Sequence, residues 1–368
     1  MKKIYQIIAS LAICLLIVQV DATAQIKTPA TSQKATVNQT VGISDVSITY
    51  SRPSVRGRKI WGTQLAHYGF QNLGFGTSKA APWRAGADEN TVITFSHDAT
   101  VEGKAIKAGT YGLHVGLQEN GTATVVFSNN STSWGSYFYD ENEDALRVDV
   151  KMADNAHTEL LTYAFVAVDN ASATVALQWE KKAIPFKIGF DVPSIVMEDI
   201  SNKLRDQTGF NRPAWESAAQ YAFSIGNTEK ALEWVNAAQA GQFFSQKTFG
   251  NAQLKSAILN QMGKSNEAIA EMESVFDQAT ALELHGYGRQ LIAGGNLEKA
   301  EEVFKTNAKK NNNAWPTQYG LGRLYSAKAD YKTAIKYLQK ALQNAPNAGS
   351  KGNVQANIDK LKKGEDIN

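Results

Sequence analysis

Residues 315–346 read WPTQYGLGRLYSAKADYKTAIKYLQKALQNAP. Tyr319, Leu321, Gly322 and Tyr325 occupy one helical face, Asp330 stands at a helix start, and Ala334, Leu338 and Ala341 form the inner stripe of a second helix that stops before Pro346. Small residues at Gly322 and Ala334 let two helices cross closely. Upstream the same order returns as Tyr287-Gly288, Gly295-Asn296, Ala300 and Phe304, in a period of 34 residues. A helix pair repeated at a fixed period implies a stacked array that buries one continuous core.

Period, small-residue positions and closing proline together resemble the tetratricopeptide repeat. Ala231, Ala268, Ala300 and Ala334 each follow a Gly or Ala turn residue by five places, so four units are expected. Trp215 and Gly226-Asn227 are in phase in the first unit, while the second, around Ala252 to Val275, is the least faithful. Val354 to Leu361 is expected as a terminal helix covering the last apolar face. The resemblance implies a concave surface lined by the fifth and ninth places of each first helix. Carried over, these are Glu216 and Gln220, Gln253 and Ala257, His285 and Arg289, and Tyr319 and Arg323. Arg289 and Arg323 stand one repeat apart, and stacked guanidinium groups suit carboxylates. The expectation is a groove for a protein partner or an extended acidic peptide, centred on His285, Arg289, Tyr319 and Arg323. The alternative is that both arginines are merely solvated. The sequence departs from the Lys/Asn pattern of the familiar carboxylate clamp.

Between residues 36 and 192 the period changes from helical to alternating. Strands are expected at 46–50, 91–96, 110–117, 123–128, 145–152, 160–168, 174–179 and 183–190, without intervening helices, which points to an all-β sandwich. Asp191-Val192-Pro193-Ser194 marks the boundary, with Ser194 capping a helix from Ile195, so the repeats occupy 194–368. The fold class is therefore two domains, an all-β sandwich followed by an all-α helical repeat array.

Three strings in the β half stand out: 51–62 (SRPSVRGRKIWG), 82–91 (PWRAGADENT) and 108–113 (AGTYGL). In that order they resemble the exported family catalogued as domain of unknown function 2911, over residues 37–190. The resemblance implies a fold and export, with no activity attached. Chemically, Arg52, Arg58, Trp83, Arg84 and Glu89 form a candidate ligand site on loops, suited to a glycan or an anionic group. The alternative is that Trp61 and Trp83 plug the end of the sandwich while Arg84 pairs with Glu89 or Asp88. His114 joins the candidates because Gly112 and Gly116 flank it on the strand face opposite Tyr111, Leu113, Val115 and Leu117. That face either admits a close neighbour or lies flat in solvent. The aromatic run Trp134 to Tyr139 is a sugar-stacking patch or a structural cluster.

Lys2 and Lys3, the apolar run Ile7–Val20 and Ala22-Thr23-Ala24 read as a signal peptide spanning 1–24, followed by a flexible leader over 25–35. A lipid anchor at Cys14 is opposed by the bulky Ile13 before it. Cys14 is the single cysteine, so disulfides and thiol chemistry are not expected after cleavage. The net charge of +3 argues against nucleic acid as a partner. No later stretch is apolar enough to span a membrane. The nucleophile elbow, phosphate loop, dinucleotide fingerprint and paired-histidine zinc motif are missing, so no catalytic residue, metal or cofactor is called for. The reading is an exported, non-catalytic binding or scaffold protein of the periplasm or cell surface of a Gram-negative cell. Its rival is an envelope- or polysaccharide-directed hydrolase with the sandwich as catalytic part.

Overall fold

The structure is a computed structural model that describes residues 28–312 and 314–368; the expected signal peptide lies outside the described residues. The chain forms two compact units dividing between Val196 and Met197.

In the first unit a six-stranded antiparallel sheet runs in the order β1 (Gln33–Val41), β2 (Ser44–Arg52), β5 (Val92–Phe95), β8 (Gly109–Leu117), β9 (Thr122–Ser128) and β10 (Asp144–Lys151). A four-stranded sheet follows the order β11 (Ala153–Val168), β12 (Ser172–Gly189), β6 (Ala99–Val101) and β7 (Lys104–Ile106). A short pair, β3 (Gln71–Asn72) with β4 (Ala80–Ala81), sits in the loop between β2 and β5. Alternating residues of both large sheets share one core: Ile48, Ile93 and Leu113 from one, Val175, Trp179 and Ile184 from the other. Sheet on sheet is the sandwich that period-two patterning demands.

Two readings are corrected here. β1 begins at Gln33, inside the expected leader; its alternation is hidden because most of its residues are exposed. Residues 174–189 belong to one strand, β12, rather than two. Glu180 takes φ 53°, and beside it Thr158–Thr162 of β11 stand opposite only Glu180–Gln178, so the Glu180-Lys181-Lys182 break is a kink in a continuous β12 facing bulges in β11.

The helices follow as α1 (Val192–Lys203), α2 (Arg212–Ser224), α3 (Thr228–Gln239), α4 (Phe249–Gln261), α5 (Ser265–Glu273), α6 (Ala281–Ala293), α7 (Leu297–Asn311), α8 (Trp315–Ala327), α9 (Tyr331–Asn344) and α10 (Ala348–Lys362). Ser194 does not cap α1. It lies in the first turn, and its N–H donates to Asp191 Oδ1 at 3.3 Å. Four helix pairs, α2–α3 to α8–α9, repeat one turn chemistry. The residue after each turn returns its N–H five places back: Asn227 to Ala222, Lys264 to Leu259, Asn296 to Leu291 and Asp330 to Tyr325, each at 2.9 Å. Gly226, Gly263 and Gly295 supply the left-handed residue before it; in the fourth pair Ala329 adopts φ 60°. Asn227, Asn296 and Asp330 then cap the second helix with their side chains, whereas Lys264 has no side chain able to do so. The second unit is least faithful for that reason. Val354, Ile358 and Leu361 of α10 close the last apolar face against Leu338 and Ala341.

Candidate functional site

The sequence-selected residues of the helical unit line its inner face in part. Gln220, Gln253 and Ala257 border a groove of about 720 Å³ between α2, α4 and α6, where Gln253 Nε2 donates to Gln290 Oε1 at 2.8 Å. Glu216 borders an adjoining groove of about 580 Å³, but its carboxylate is engaged by Arg212 at 3.1 Å and Asn251 at 2.8 Å.

His285 and Tyr319 are buried instead, at 7% and 9% exposure. Their rings stack at 5.5 Å, and His285 Nδ1 donates to the Pro316 carbonyl at 3.0 Å. Burial, then the charges of Arg323 and Arg289, lower the His285 pKa to about 4, so the ring is neutral at pH 7. Arg323 lies 5.1 Å over the Tyr319 ring. Arg289 and Arg323 border one cavity of about 430 Å³. Arg289 is exposed and, among the described residues, neither arginine has an ion-pair partner. Arg323 Nε is buried without a hydrogen bond.

Arg323 is met by the chain's own last residues. Its Nη1 donates to the Ile367 carbonyl at 2.8 Å, and Asn368 Nδ2 donates to the Arg323 carbonyl at 3.1 Å. Ser326 Oγ donates to Asp366 and accepts from the Ile367 N–H at 3.2 Å, while the Ile367 side chain joins the core. Nothing in the sequence pattern marks this tail, a polar run after the closing helix.

In the β unit the six candidates separate. Arg52 ties β2 to β11, donating to the Leu161 carbonyl at 3.0 Å and to Thr162 Oγ1 at 2.6 Å. Arg58 closes its own loop on the carbonyls of Val55 and Ser54. Glu89 pairs with Lys34 at 3.5 Å, not with Arg84. Trp83 is 3% exposed and packs in the core with Trp61 and Trp179 at 6.0 Å from each.

Arg84 and His114 do meet. β5 covers only the first part of β8, and Trp83 takes the vacant edge, exchanging both backbone bonds with Val115 at 3.0 and 2.8 Å. Antiparallel pairing of Trp83 with Val115 puts Arg84 beside His114 on the outer face. That face is not solvated. Gly116 is packed under Phe70, Gly112 under the Asn130 carbonyl, and His114 is 2% exposed. His114 Nδ1 lies 2.9 Å from Ser136 Oγ. Burial, then Arg84, lowers its pKa to about 4. The Arg84 guanidinium packs on Gly135 and lies 4.9 Å over Tyr137, and Nη1 donates to the Asp88 carbonyl at 2.6 Å. It has no ion-pair partner among the described residues, so the expected pairing with a carboxylate is replaced by a backbone bond. Ser136, Tyr137 and His67 complete this site. For Ser136 and Tyr137 the only sequence signal was the aromatic run 134–139. Among the described residues no three His, Cys, Asp or Glu side chains converge to hold a metal ion, and no helix is long and apolar enough to cross a membrane.

No curated protein matches the chain. Among solved structures, the Cut9-Hcn1 APC/C hetero-tetramer aligns at 18% identity over 46% of this chain and 33% of that one, with a TM-score of 0.30. The chain thus spans about a third of that protein's length. The C-terminal part of a TPR repeat-containing protein from Cytophaga hutchinsonii aligns at 16% identity over 46% and 67% of the two chains, with a TM-score of 0.35. A TPR repeats protein from Bacteroides fragilis aligns at 18% identity over 47% and 91%, with a TM-score of 0.29. Residues 316–347 match a tetratricopeptide repeat model, an architecture that serves protein–protein interaction. Residues 32–188 match the family described as Protein of unknown function (DUF2911), so the chain joins a unit similar to that family to a unit of tetratricopeptide repeats.

Proposed function

We propose that this is an exported, non-catalytic scaffold whose helical unit holds an extended acidic peptide of a protein partner across the inner face of α6 and α8. The leader, with its two lysines, apolar run and Ala22-Thr23-Ala24, supports export to the periplasm or cell surface. The observation that carries the peptide reading is the pair Arg289 and Arg323. Two guanidinium groups without ion-pair partners among the described residues border a single cavity. A carboxylate there gains charge-assisted bonds that water cannot match in a half-buried setting. Residues Asp366–Asn368 illustrate the geometry: the segment lies on Arg323 and Ser326 through its carbonyl, its N–H and an aspartate. Carboxamides at Gln253 and Gln290 extend the surface for further backbone contacts.

The test is fluorescence anisotropy of a labelled Glu/Asp-rich dodecapeptide against its Gln/Asn isostere. Wild type should prefer the acidic peptide, and Arg289→Ala with Arg323→Ala together should weaken it by roughly tenfold or more. Equal affinity of the double variant, or of the isostere, would overturn the reading. The hydrolase alternative finds support in the Ser136–His114 contact alone, and among the described residues no carboxylate is hydrogen-bonded to that imidazole.

A further inference from the structure

The Arg84 cleft is a second site, independent of the helical groove. It encloses about 550 Å³, the size of small-ligand sites. Its one cation is a guanidinium held flat by Tyr137 and Gly135 and tied at a single nitrogen to the Asp88 carbonyl, which leaves its other N–H groups for a ligand. Ser136, fixed by His114, adds a hydroxyl to the lining. A planar fork of this kind matches a carboxylate. Asp88 also borders the cleft, so a single negative charge fits better than a phosphate dianion. The remaining walls pair carboxamides (Gln64, Gln71 and Asn72) with apolar Leu65 and Pro82. Carboxamides beside apolar surface suit a ring that bears hydroxyls on its rim and C–H groups on its face. Beyond Tyr137 the aromatic surface continues outward: Phe75 lies 5.6 Å from Tyr137 and 5.8 Å from Phe138, and is 63% exposed. Exposed rings adjoining Tyr137 offer stacking to a neighbouring sugar.

We propose that this cleft binds a uronate residue of an acidic glycan, with the carboxylate on Arg84, the hydroxyls on the carboxamides and the next sugar on Phe75.

Titration calorimetry of the full chain with trigalacturonate, its methyl ester and maltotriose tests it. Binding of trigalacturonate, at least tenfold loss on esterification, no binding of maltotriose and a severalfold loss in Phe75→Ala are expected. Arg84→Gln should abolish the preference for the acid over the ester. Arg84 packs against Gly135 and Tyr137, so its replacement can disturb the fold; the ester comparison on wild type then decides alone. Failure of wild type to bind trigalacturonate, equal binding of acid and ester, or an unaltered preference in folded Arg84→Gln would each overturn the proposal. The same titrations on the Arg289→Ala, Arg323→Ala double variant should give the same preference, which keeps the result separate from the helical groove; loss of the preference there would also overturn the proposal.

Discussion

At the scale of single residues, the repeat period is a record of one close approach. A Cβ on Gly288 would meet the Phe304 ring closer than 3 Å, and 34 residues later a Cβ on Gly322 would meet Leu338. Phe304 is fully buried, and a Cβ on Gly320 would strike the same ring from another side. The ring is pinned and cannot swing away. Gly288→Ala therefore gains about 1 kcal/mol of helix propensity but loses more to overpacking, of the order of 1–3 kcal/mol. A net loss of about 1–2 kcal/mol is expected in urea titration. Gly286, two residues away on α6, has open space where its Cβ would stand. Gly286→Ala should stabilise by about 0.5–1 kcal/mol. If both substitutions stabilise alike, the close approach does not dictate the glycine. The same logic explains why Gly112 and Gly116 were ambiguous in sequence. A glycine reports that something comes near and leaves open what, and here it is the Asn130 carbonyl and Phe70 from distant loops.

At the scale of elements, each helix pair turns on a left-handed residue followed by a cap. Three turns use glycine, and Ala329 at φ 60° carries the cost of an L residue there, about 1–2 kcal/mol. Ala329→Gly relieves that strain and returns part of it as unfolded-chain entropy, so a gain of about 0.5–1 kcal/mol is expected from chemical denaturation. Destabilisation would mean that the turn is held by its hydrogen bonds alone. These turns are also what made the helical half readable: a residue type is required at a fixed place, so chemistry shows through in sequence. The β half was readable where one strand face enters the core, as in β2, β8 and β9. It was unreadable where the inward face is only partly buried, as in β1, or where loops take the place of a strand, as Trp83 does beside Val115. The candidate sites divide in the same way. Arg84 and His114 were visible as unusual residues, but their partner Ser136 lies on a loop whose position follows from tertiary packing alone. Arg289 and Arg323 followed from register, whereas the tail that meets Arg323 follows no repeat.

At the scale of the molecule, each unit buries a neutral imidazole, and both rings couple folding to pH. His114 in the β unit and His285 in the helical unit have pKa values lowered to about 4, in each case mainly by burial. His67 is lowered in the same direction, again chiefly by burial. In the unfolded chain these rings titrate near the ordinary value of about 6.5. Between pH 6.5 and 4 the unfolded state therefore holds more protons than the folded one, and stability rises with pH across that window. The contribution is complete above about pH 6.5 and is lost as pH falls toward 4. For each strongly shifted ring the loss between pH 7 and pH 5 is about 2 kcal/mol. Carboxylates with lowered values, such as Glu301 at about 2 beside Lys305 and Lys328, lose their contribution only below the ordinary carboxylate range. The interval from about pH 6.5 to 5 thus belongs to the histidines. Urea titrations at pH 7 and pH 5 should show the wild type weakened at the lower pH. His285→Gln keeps a side-chain donor for the Pro316 carbonyl while removing the titrating ring. Its transition for the helical unit should move less between the two pH values than the wild type's, whatever its stability at pH 7. An equal drop in His285→Gln would show that protonation of this ring does not govern the acid sensitivity of the repeats.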